Sequence, residues 1–139
     1  MERYVIVIPA EGPCRLVLCD DGYTCKLNTL QQLVDGPIEV TESCLEPSWA
    51  REPAECIHLV VNEEGLLRQL PDNPRATDLY AYGDRSAIVG GAVLMAGHGE
   101  DLIGFPKPAC KIICDEWKLW LCSKDDKGEA CRFQTFNSD

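Results

Sequence analysis

The segment that most constrains the fold places a helix, a stop signal and a strand within thirteen residues, NTLQQLVDGPIEV from 28 to 40. Asn28 is a residue type that caps helices, and apolar side chains follow it at helical spacing. The Gly-Pro pair at 36–37 ends the helix, because proline cannot continue one. Ile38 and Val40 then alternate with polar residues, as on a half-buried strand. The segment predicts a helix that packs on the sheet to which this strand belongs.

Length and cysteine content limit the class of protein. A chain of 139 residues with 45% hydrophobic composition is sufficient for one domain with its own core. The short apolar run after Glu2 and Arg3 is typical of a first strand, not of a signal peptide, and no stretch approaches the roughly 20 apolar residues of a membrane span. The chain has nine cysteines, an odd number, and its N-terminal segment does not resemble an export signal. We therefore expect reduced thiols in a cytoplasm and no membrane association.

The net charge of −10 is confined to one part of the chain. Residues 106–139 hold six basic and six acidic side chains, so residues 1–105 carry the whole excess. Such a body repels nucleic acid and anionic membranes, because phosphate binding requires Lys and Arg. The acidic excess favours either a basic partner or solubility alone, and it argues against direct nucleic-acid binding.

Strand-like and helix-like patterns alternate along the rest of the chain. β-Branched and apolar runs bounded by turn residues predict strands at 4–8, 15–19, 38–41, 56–61, 66–70, 87–96, 102–105 and 131–136. Caps and periodicity predict helices that begin at Asn28, at Pro74 with residues 75–82, and over 109–122. We predict a single α+β domain with a mixed or antiparallel sheet and two to three short helices packed on it.

Three quoted segments resemble one known family. TLQQLVDGPIEV, HLVVNEEGLLRQLPDNPRA and IVGGAVLMAGHGEDLIGF resemble, in order and spacing, the domain of unknown function family 3846, whose members are small phage and mobile-element proteins. The resemblance covers roughly residues 1–105, the family core. Residues 106–139 are a Cys/Trp-rich helix and strand extension of the same domain, and the loop at 43–55 is also additional. The resemblance implies an accessory protein in a bacterial cytoplasm and transfers no catalytic residue.

Metal and nucleotide chemistry find little support in the cysteine and glycine spacing. The chain has no CxxC pair, and Cys110 and Cys114 are more simply buried thiols on a helix face. Gly90-Gly91 and the Gly97-x-Gly99 turn lack the GxGxxG and GxxxxGK patterns. We expect no metal site and no cofactor.

Acid–base and thiol chemistry depend on few residues. Two histidines are present, His58 within a strand and His98 in a Gly-x-Gly turn, where a functional group would be accessible. The carboxylate pairs at 20–21, 63–64 and 100–101 lie in turns, which usually face water. These features favour a protein that is not an enzyme, with a small hydrolase or thiol enzyme using His98 as an alternative.

Two binding functions remain. The first is a counter-defence inhibitor that binds and blocks a bacterial immune protein, for which Trp49 and Trp120 are candidate partner-binding residues in a possible homo-oligomer. Trp117 fits the apolar stripe of the tail helix and is expected in the core. The alternative is a sponge for a cyclic or ADP-ribose-type nucleotide signal, in which Arg75, Arg85 and the backbone amides of the Gly97 turn hold phosphates. The candidate ligand-binding residues are Asn62, Arg75, Tyr82, Arg85 and His98.

Overall fold

A single antiparallel sheet with helices on both faces forms the protein. The computed structural model describes residues 2–43, 55–80, 87–98 and 101–119. Within these ranges there are seven strands and three helices, which confirms the predicted α+β class. The strands are β1 (Arg3–Ile8), β2 (Arg15–Leu18), β3 (Ile38–Glu42), β4 (Glu55–Asn62), β5 (Ala92–His98), β6 (Asp101–Ile103) and β7 (Phe105–Pro106), and the helices are α1 (Leu27–Val34), α2 (Pro74–Leu79) and α3 (Lys107–Trp117).

The central strand of the sheet is β5. The strand order is β2-β1-β5-β4-β3, and the predicted strands at 4–8 and 15–19 pair with each other as an antiparallel hairpin. Residues 92–94 of β5 pair with β1, whereas residues 96–98 pair with β6 along the same edge. The beginning of β1 pairs in turn with β7. The short ribbon of β6 and β7 therefore fills the space where β1 and β5 separate.

Both faces of the central strands are buried. Along β1, Tyr4, Ile6 and Ile8 belong to one apolar cluster and Val5 and Val7 to another, because successive side chains of a strand point to opposite faces. The cluster with Ile6 also contains the buried residues of α2 and α3, and the cluster with Val5 contains those of α1. Two covered faces account for the continuous apolar runs in the central strands, where a one-sided sheet would show alternation.

Helix α1 is capped differently from the prediction. Its N-cap is Lys26, and Asn28 lies inside the helix. The Asp20 carboxylate caps this end from the preceding loop, accepting hydrogen bonds from the Lys26 N–H at 2.7 Å and the Thr29 hydroxyl at 2.8 Å. The prediction that Asn28 caps the helix was wrong. The helix begins before Asn28, and the hydrogen-bond acceptor at its start is Asp20, six residues before Lys26.

The segment after β4 is a turn and not the predicted strand at 66–70. Backbone hydrogen bonds such as Arg68 N–H to Glu64 O at 2.8 Å form successive turns over residues 63–69. Leu66 and Leu67 are 71% and 84% exposed. The reason is the order of the sheet: β4 pairs with β3 on one edge and β5 on the other, so no edge remains for a returning strand.

The run at 87–96 becomes a strand only from Ala92. Gly90 has a φ of 77°, a conformation that interrupts an extended strand, and Val89 forms an isolated bridge with Asp72. The predicted turn at 97–101 begins later than expected, since β5 continues to His98 before β6 pairs back with it. The helix beginning at Pro74 is confirmed, with the Asn73 side chain accepting from the Ala76 N–H, but it ends at Leu79 instead of the predicted 82 because Tyr80 is extended and bridges Ser43.

Helix α3 ends five residues before the predicted end at 122. Lys118 adopts a left-handed conformation with a φ of 53°, and the Leu119 N–H donates to Cys114 O. This reversal buries Leu119, while Trp117 is 36% exposed. Trp117 was therefore wrongly predicted as core, because the chain turns back and Leu119 fills that position. Among the described residues, no helix combines the length and apolarity needed to cross a membrane.

Candidate functional site

A cavity of about 180 Å³ lies beside the β3 edge of the sheet, on the face that carries α2. Its floor comes from β3 and β4, and its walls come from the turn after β4 and from the segments on either side of residues 81–86. The lining residues are Glu39, Thr41, Val61, Asn62, Glu63, Leu66, Tyr80, Ala87, Ile88 and Val89.

Strand register places the polar part of the floor. Glu39 pairs with Val61 and Thr41 with Leu59, so Glu39 and Thr41 share the α2 face with two buried side chains of β4. Because β3 is the last strand on this side, Glu39 is exposed even though it lies on a sheet face. The edge position thus gives a carboxylate access to both the cavity and solvent.

The opposite wall is held by a hydrogen-bonded network. The Ile88 N–H donates to the Thr77 hydroxyl at 2.9 Å, and Ile88 O accepts from the Asn73 N–H at 2.9 Å. The amide of Asn73 donates to Ile8 O and Gly90 O, which connects α2 to β1 and to the segment before β5. The wall is therefore fixed to the centre of the sheet, which makes the cavity a preformed feature of the fold.

The lining is acidic over an apolar floor. Glu39 and Glu63 are the charged residues of the lining, and among its described residues there is no Lys, Arg or His. Val61, Ile88 and Val89 are buried. Typical pockets for drug-sized ligands have roughly 300–1,000 Å³, so this smaller volume suits a group the size of one side chain. A cation with an aliphatic stem matches both parts of the lining.

Further carboxylates lie along this edge of the sheet, with Glu42 on the opposite face of β3 from Glu39. We call Glu39, Glu42, Glu63 and Glu64 the acidic edge; all four are exposed. The nearby Arg68 is engaged with Asp35, through an ion pair of 3.1 Å and a hydrogen bond to its carbonyl. Its guanidinium is thus already shared with another carboxylate, and the acidic edge keeps its negative character.

Asn62 is the predicted ligand-binding residue that lines the cavity, but its amide serves the fold. Nδ2 donates to Val34 O at 2.9 Å and Asp35 O at 3.0 Å, and Oδ1 accepts from the Glu64 N–H at 2.7 Å. The side chain thus caps the end of α1 and orders the turn after β4. Both amide hydrogens are used, which leaves Asn62 a supporting role in the cavity wall.

Arg75 lies apart from the cavity. Its guanidinium donates to Pro9 O at 2.7 Å and contacts Cys14 Sγ at 3.6 Å, next to the turn between β1 and β2. Gly97 lies within β5, paired with Cys56 on one side and Leu102 on the other. The described structure therefore does not bring Arg75 and the backbone at Gly97 together at one phosphate-sized site.

The remaining predicted site residues fall elsewhere. The backbone of His98 ends β5, opposite Glu55 and Asp101, but its side chain is outside the described part of the structure. Four others also lie outside the described residues: Trp49, Tyr82, Arg85 and Trp120.

The sequence reasoning missed Glu39 and Tyr80. Glu39 was treated as the solvent-facing partner of Ile38 and Val40, and nothing near Tyr80 indicates a cavity. The only sequence signal was the Ile-Glu-Val alternation, which does not reveal that β3 is an edge strand. Their proximity arises from β3 pairing and from the bridge between Ser43 and Tyr80.

A family model covers most of the structure. It is described as Domain of unknown function (DUF3846) and matches residues 1–118 of the 139. The chain belongs to this family. The matched region extends beyond residue 105 and includes α3, so the family model covers all the strands and helices given above. No curated protein and no solved structure matches the chain.

Proposed function

We propose that this protein is a non-enzymatic accessory protein of a phage or mobile element, which binds and blocks a basic component of bacterial immune defence in the host cytoplasm. The observation that supports this function is the acidic cavity at the end of an acidic sheet edge. Family membership supports only the setting, through the phage and mobile-element resemblance already described. The cavity gives the proposal a physical site.

The cavity suits a lysine or arginine side chain of a partner. The aliphatic stem of such a side chain would lie against Val61, Ile88 and Val89, and the charged head would meet Glu39 and Glu63. A preformed pocket filled by one anchoring side chain is a common centre of protein interfaces, with arginine among the enriched anchors. The rest of the acidic edge would then face neighbouring basic residues.

The charge of the whole chain favours the same class of partner. Residues 1–105 carry the entire excess of −10 and include the acidic edge. A negative body accelerates association with a positive surface and competes with nucleic acid for it. Immune proteins that act on nucleic acid have such surfaces, which makes them the expected class of target.

The nucleotide-sponge alternative needs a cationic cradle. The engagement of Arg75 with Pro9 O and the position of Gly97 inside the sheet leave this arrangement without support among the described residues. Calorimetric titration with cyclic oligonucleotides and ADP-ribose tests it directly. A saturable heat of binding would favour the sponge over the inhibitor.

The biological test is a phage challenge of bacteria that carry single defence systems. The chain is expected to restore plaque formation on at least one of them, and the double variant Glu39→Gln/Glu63→Gln to lose at least tenfold of that effect. Glu11→Gln/Glu116→Gln removes the same charge from exposed positions outside the cavity and is the matched control. The proposal fails if the unmodified chain relieves no defence system.

The cavity itself can be tested without knowing the partner. Butylguanidinium imitates an arginine side chain, and butylurea has the same shape without the charge. We expect butylguanidinium to shift the amide NMR signals of Val61, Tyr80 and Ile88 with a Kd of about 1–10 mM, as small ligands of this size bind weakly. Butylurea should leave them unchanged. If both compounds shifted these signals equally, the carboxylates of Glu39 and Glu63 would not be the groups that bind the cation.

A further inference from the structure

Two thiols meet at the loop between β2 and α1. Cys19 follows β2, Cys25 precedes α1, and their side chains hydrogen bond to each other. Both belong to the apolar packing beneath α1, with Cys19 buried and Cys25 partly exposed. Cys14, Cys110 and Cys114 are instead buried in the cluster on the opposite face of the sheet.

Hydrogen bonds to two carboxylates hold the intervening loop in place. Asp21 accepts from the N–H groups of Tyr23 at 2.8 Å and Thr24 at 2.6 Å, and Asp20 accepts from the Lys26 N–H. The Gly22 N–H also donates to Cys19 O at 2.9 Å. The two sulfur atoms are therefore presented to each other by a structured loop, which lowers the rearrangement needed to join them.

Solvent reaches the pair from the Cys25 side. Cys25 borders a surface depression of about 330 Å³, which is also lined by Leu27, Ile38, Asp101 and Leu102. A small disulfide can enter such a depression and approach the Cys25 sulfur. Cys19, only 1% exposed, is shielded from the same reagent. The difference in solvent access therefore identifies Cys25 as the thiol that attacks the external disulfide and Cys19 as the thiol that then displaces it.

We propose that Cys19 and Cys25 are a redox-active thiol pair, which reacts with small disulfides through Cys25 and closes to an intramolecular disulfide. The hydrogen bond from the Cys19 thiol lowers the pKa of Cys25, so Cys25 is the better thiolate. The same contact, together with burial, raises the pKa of Cys19. The two pKa shifts therefore give Cys25 and Cys19 the same roles as their solvent access does.

The reaction has two exchange steps. The Cys25 thiolate attacks one sulfur of the external disulfide, whose S–S bond breaks and releases one thiol. The Cys19 sulfur then attacks Cys25, the mixed disulfide breaks, and the second thiol leaves with the Cys19 proton. Two protein thiols are oxidised and one external disulfide is reduced to two thiols. Reduced thiols in excess reverse both steps.

The charge around the pair selects the disulfide. Asp101 lines the depression beside Cys25, and the charges of Asp20 and Asp21 also act on the Cys25 thiol, so a cationic disulfide should react faster than an anionic one. We expect cystamine to be favoured over oxidised glutathione by roughly tenfold more in the folded protein than in the urea-unfolded chain at low salt. The preference should decrease at high ionic strength, since salt screens exposed charges.

Peptide mass spectrometry provides the decisive measurement. Trypsin cuts after Arg15 and Lys26, so residues 16–26, LVLCDDGYTCK, form one peptide that contains both thiols and no other cysteine. After folded protein is treated with cystamine, quenched and alkylated, we expect this peptide two hydrogens lighter than its reduced form and without alkylation. The peptides with Cys14, Cys110 and Cys114 should carry no cysteamine and appear as alkylated thiols after unfolding.

Single variants separate the two roles. Cys19→Ser should accumulate a mixed disulfide of cysteamine at Cys25, and Cys25→Ser should leave Cys19 unmodified while the protein is folded. The wild-type measurement does not depend on the stability of either variant. The proposal is overturned if wild-type peptide 16–26 retains two alkylated thiols, or if it carries cysteamine to the same extent as in Cys19→Ser.

Discussion

At the scale of single residues, buried polar side chains connect distant parts of this fold. Asn62 is 5% exposed and satisfies the last carbonyls of α1 while ordering the turn after β4. Gly36 is needed beside it, because a Cβ there would lie 2.7 Å from the Asn62 amide nitrogen. Buried polar groups of this kind contribute little when paired but cost much when a partner is removed.

Asn62→Ala should therefore destabilise the protein by about 2–3 kcal/mol, since it leaves Val34 O and the Glu64 N–H without this partner, whereas Asp35 O keeps its hydrogen bond from Arg68. Urea unfolding of the full chain measures this change. Asn28→Ala is the matched control, because Asn28 is exposed within α1 and should cost under about 0.5 kcal/mol. A larger cost at Asn28 than at Asn62 would restore Asn28 as the helix cap.

Asp20 gives a second test at this scale. Burial opposes its ionisation, but the hydrogen bonds from Lys26 and Thr29 outweigh burial and lower the pKa of Asp20. A carboxyl whose pKa is lowered by folding stabilises the protein above its unfolded pKa of about 3.9, and this contribution is lost as the pH falls through the folded value. Stability should thus decline with acidification partly through this cap.

Asp20→Ala should cost about 1 kcal/mol at pH 7, a usual net contribution of hydrogen bonds such as those from Lys26 and Thr29. The difference from wild type should narrow as the pH falls below about 4, because the wild-type carboxyl is then protonated too. Urea unfolding at several pH values measures both effects. Asp115→Ala, at an exposed position of α3, should stay within about 0.5 kcal/mol of wild type throughout. A pH-independent difference for Asp20→Ala would contradict the cap.

At the scale of elements, the ribbon of β6 and β7 depends on one close approach. The ribbon enters between β1 and β5 and pairs with both. At its bend, a Cβ on Gly104 would lie 2.8 Å from the backbone N and O of Tyr4 and 2.5 Å from Cys19 Sγ. Backbone atoms cannot yield as a flexible side chain can, so only glycine fits here.

Gly104→Ala is expected to cost about 2–3 kcal/mol, the upper part of the usual range for overpacking, because the ribbon must move away from β1. Thermal or urea unfolding measures the loss, and hydrogen exchange of the β1 amides should increase. Gly91→Ala is the control: its nearest contact would be Leu33 O at an ordinary 3.5 Å. Equal costs for the two variants would show that the loss is a general glycine effect.

At the scale of the whole molecule, apolar side chains form the core and acidic side chains lie on the surface. The central strands are buried on both faces, while many of the acidic side chains that the structure describes lie on β3 and in turns. Like charges repel within a compact body, and salt screens that repulsion. Repulsion among the exposed carboxylates therefore lowers the stability of the folded state.

Raising NaCl from about 20 mM to about 500 mM should increase the Tm by several degrees, because the screened repulsion belongs mostly to the folded state. The Glu39→Gln/Glu63→Gln variant should have a higher Tm than wild type at low salt and a smaller response to salt. Differential scanning fluorimetry measures both. A Tm that falls with salt would indicate that ion pairs such as Arg68 with Asp35 outweigh the repulsion.

Much of the fold could be predicted from local sequence patterns. The strands β1, β2 and β4, the beginning of α2 at Pro74 and the α+β class follow from apolar periodicity and turn residues, which act over a few neighbouring positions. Less of the candidate site could be predicted from such local patterns. Asn62 was selected as a ligand-binding residue from its turn, whereas its amide is directed to α1, and Glu39 was not selected at all.

The sequence by itself determined the element types, the apolar faces and the confinement of the acidic excess to residues 1–105, because these depend on side-chain chemistry and short-range spacing. Only the tertiary structure decided the strand order, the return of the chain after Trp117 and the residues that meet at the cavity and the thiol pair. The strand pairings and the cavity join positions far apart along the chain, and no local pattern specifies which edge a strand joins.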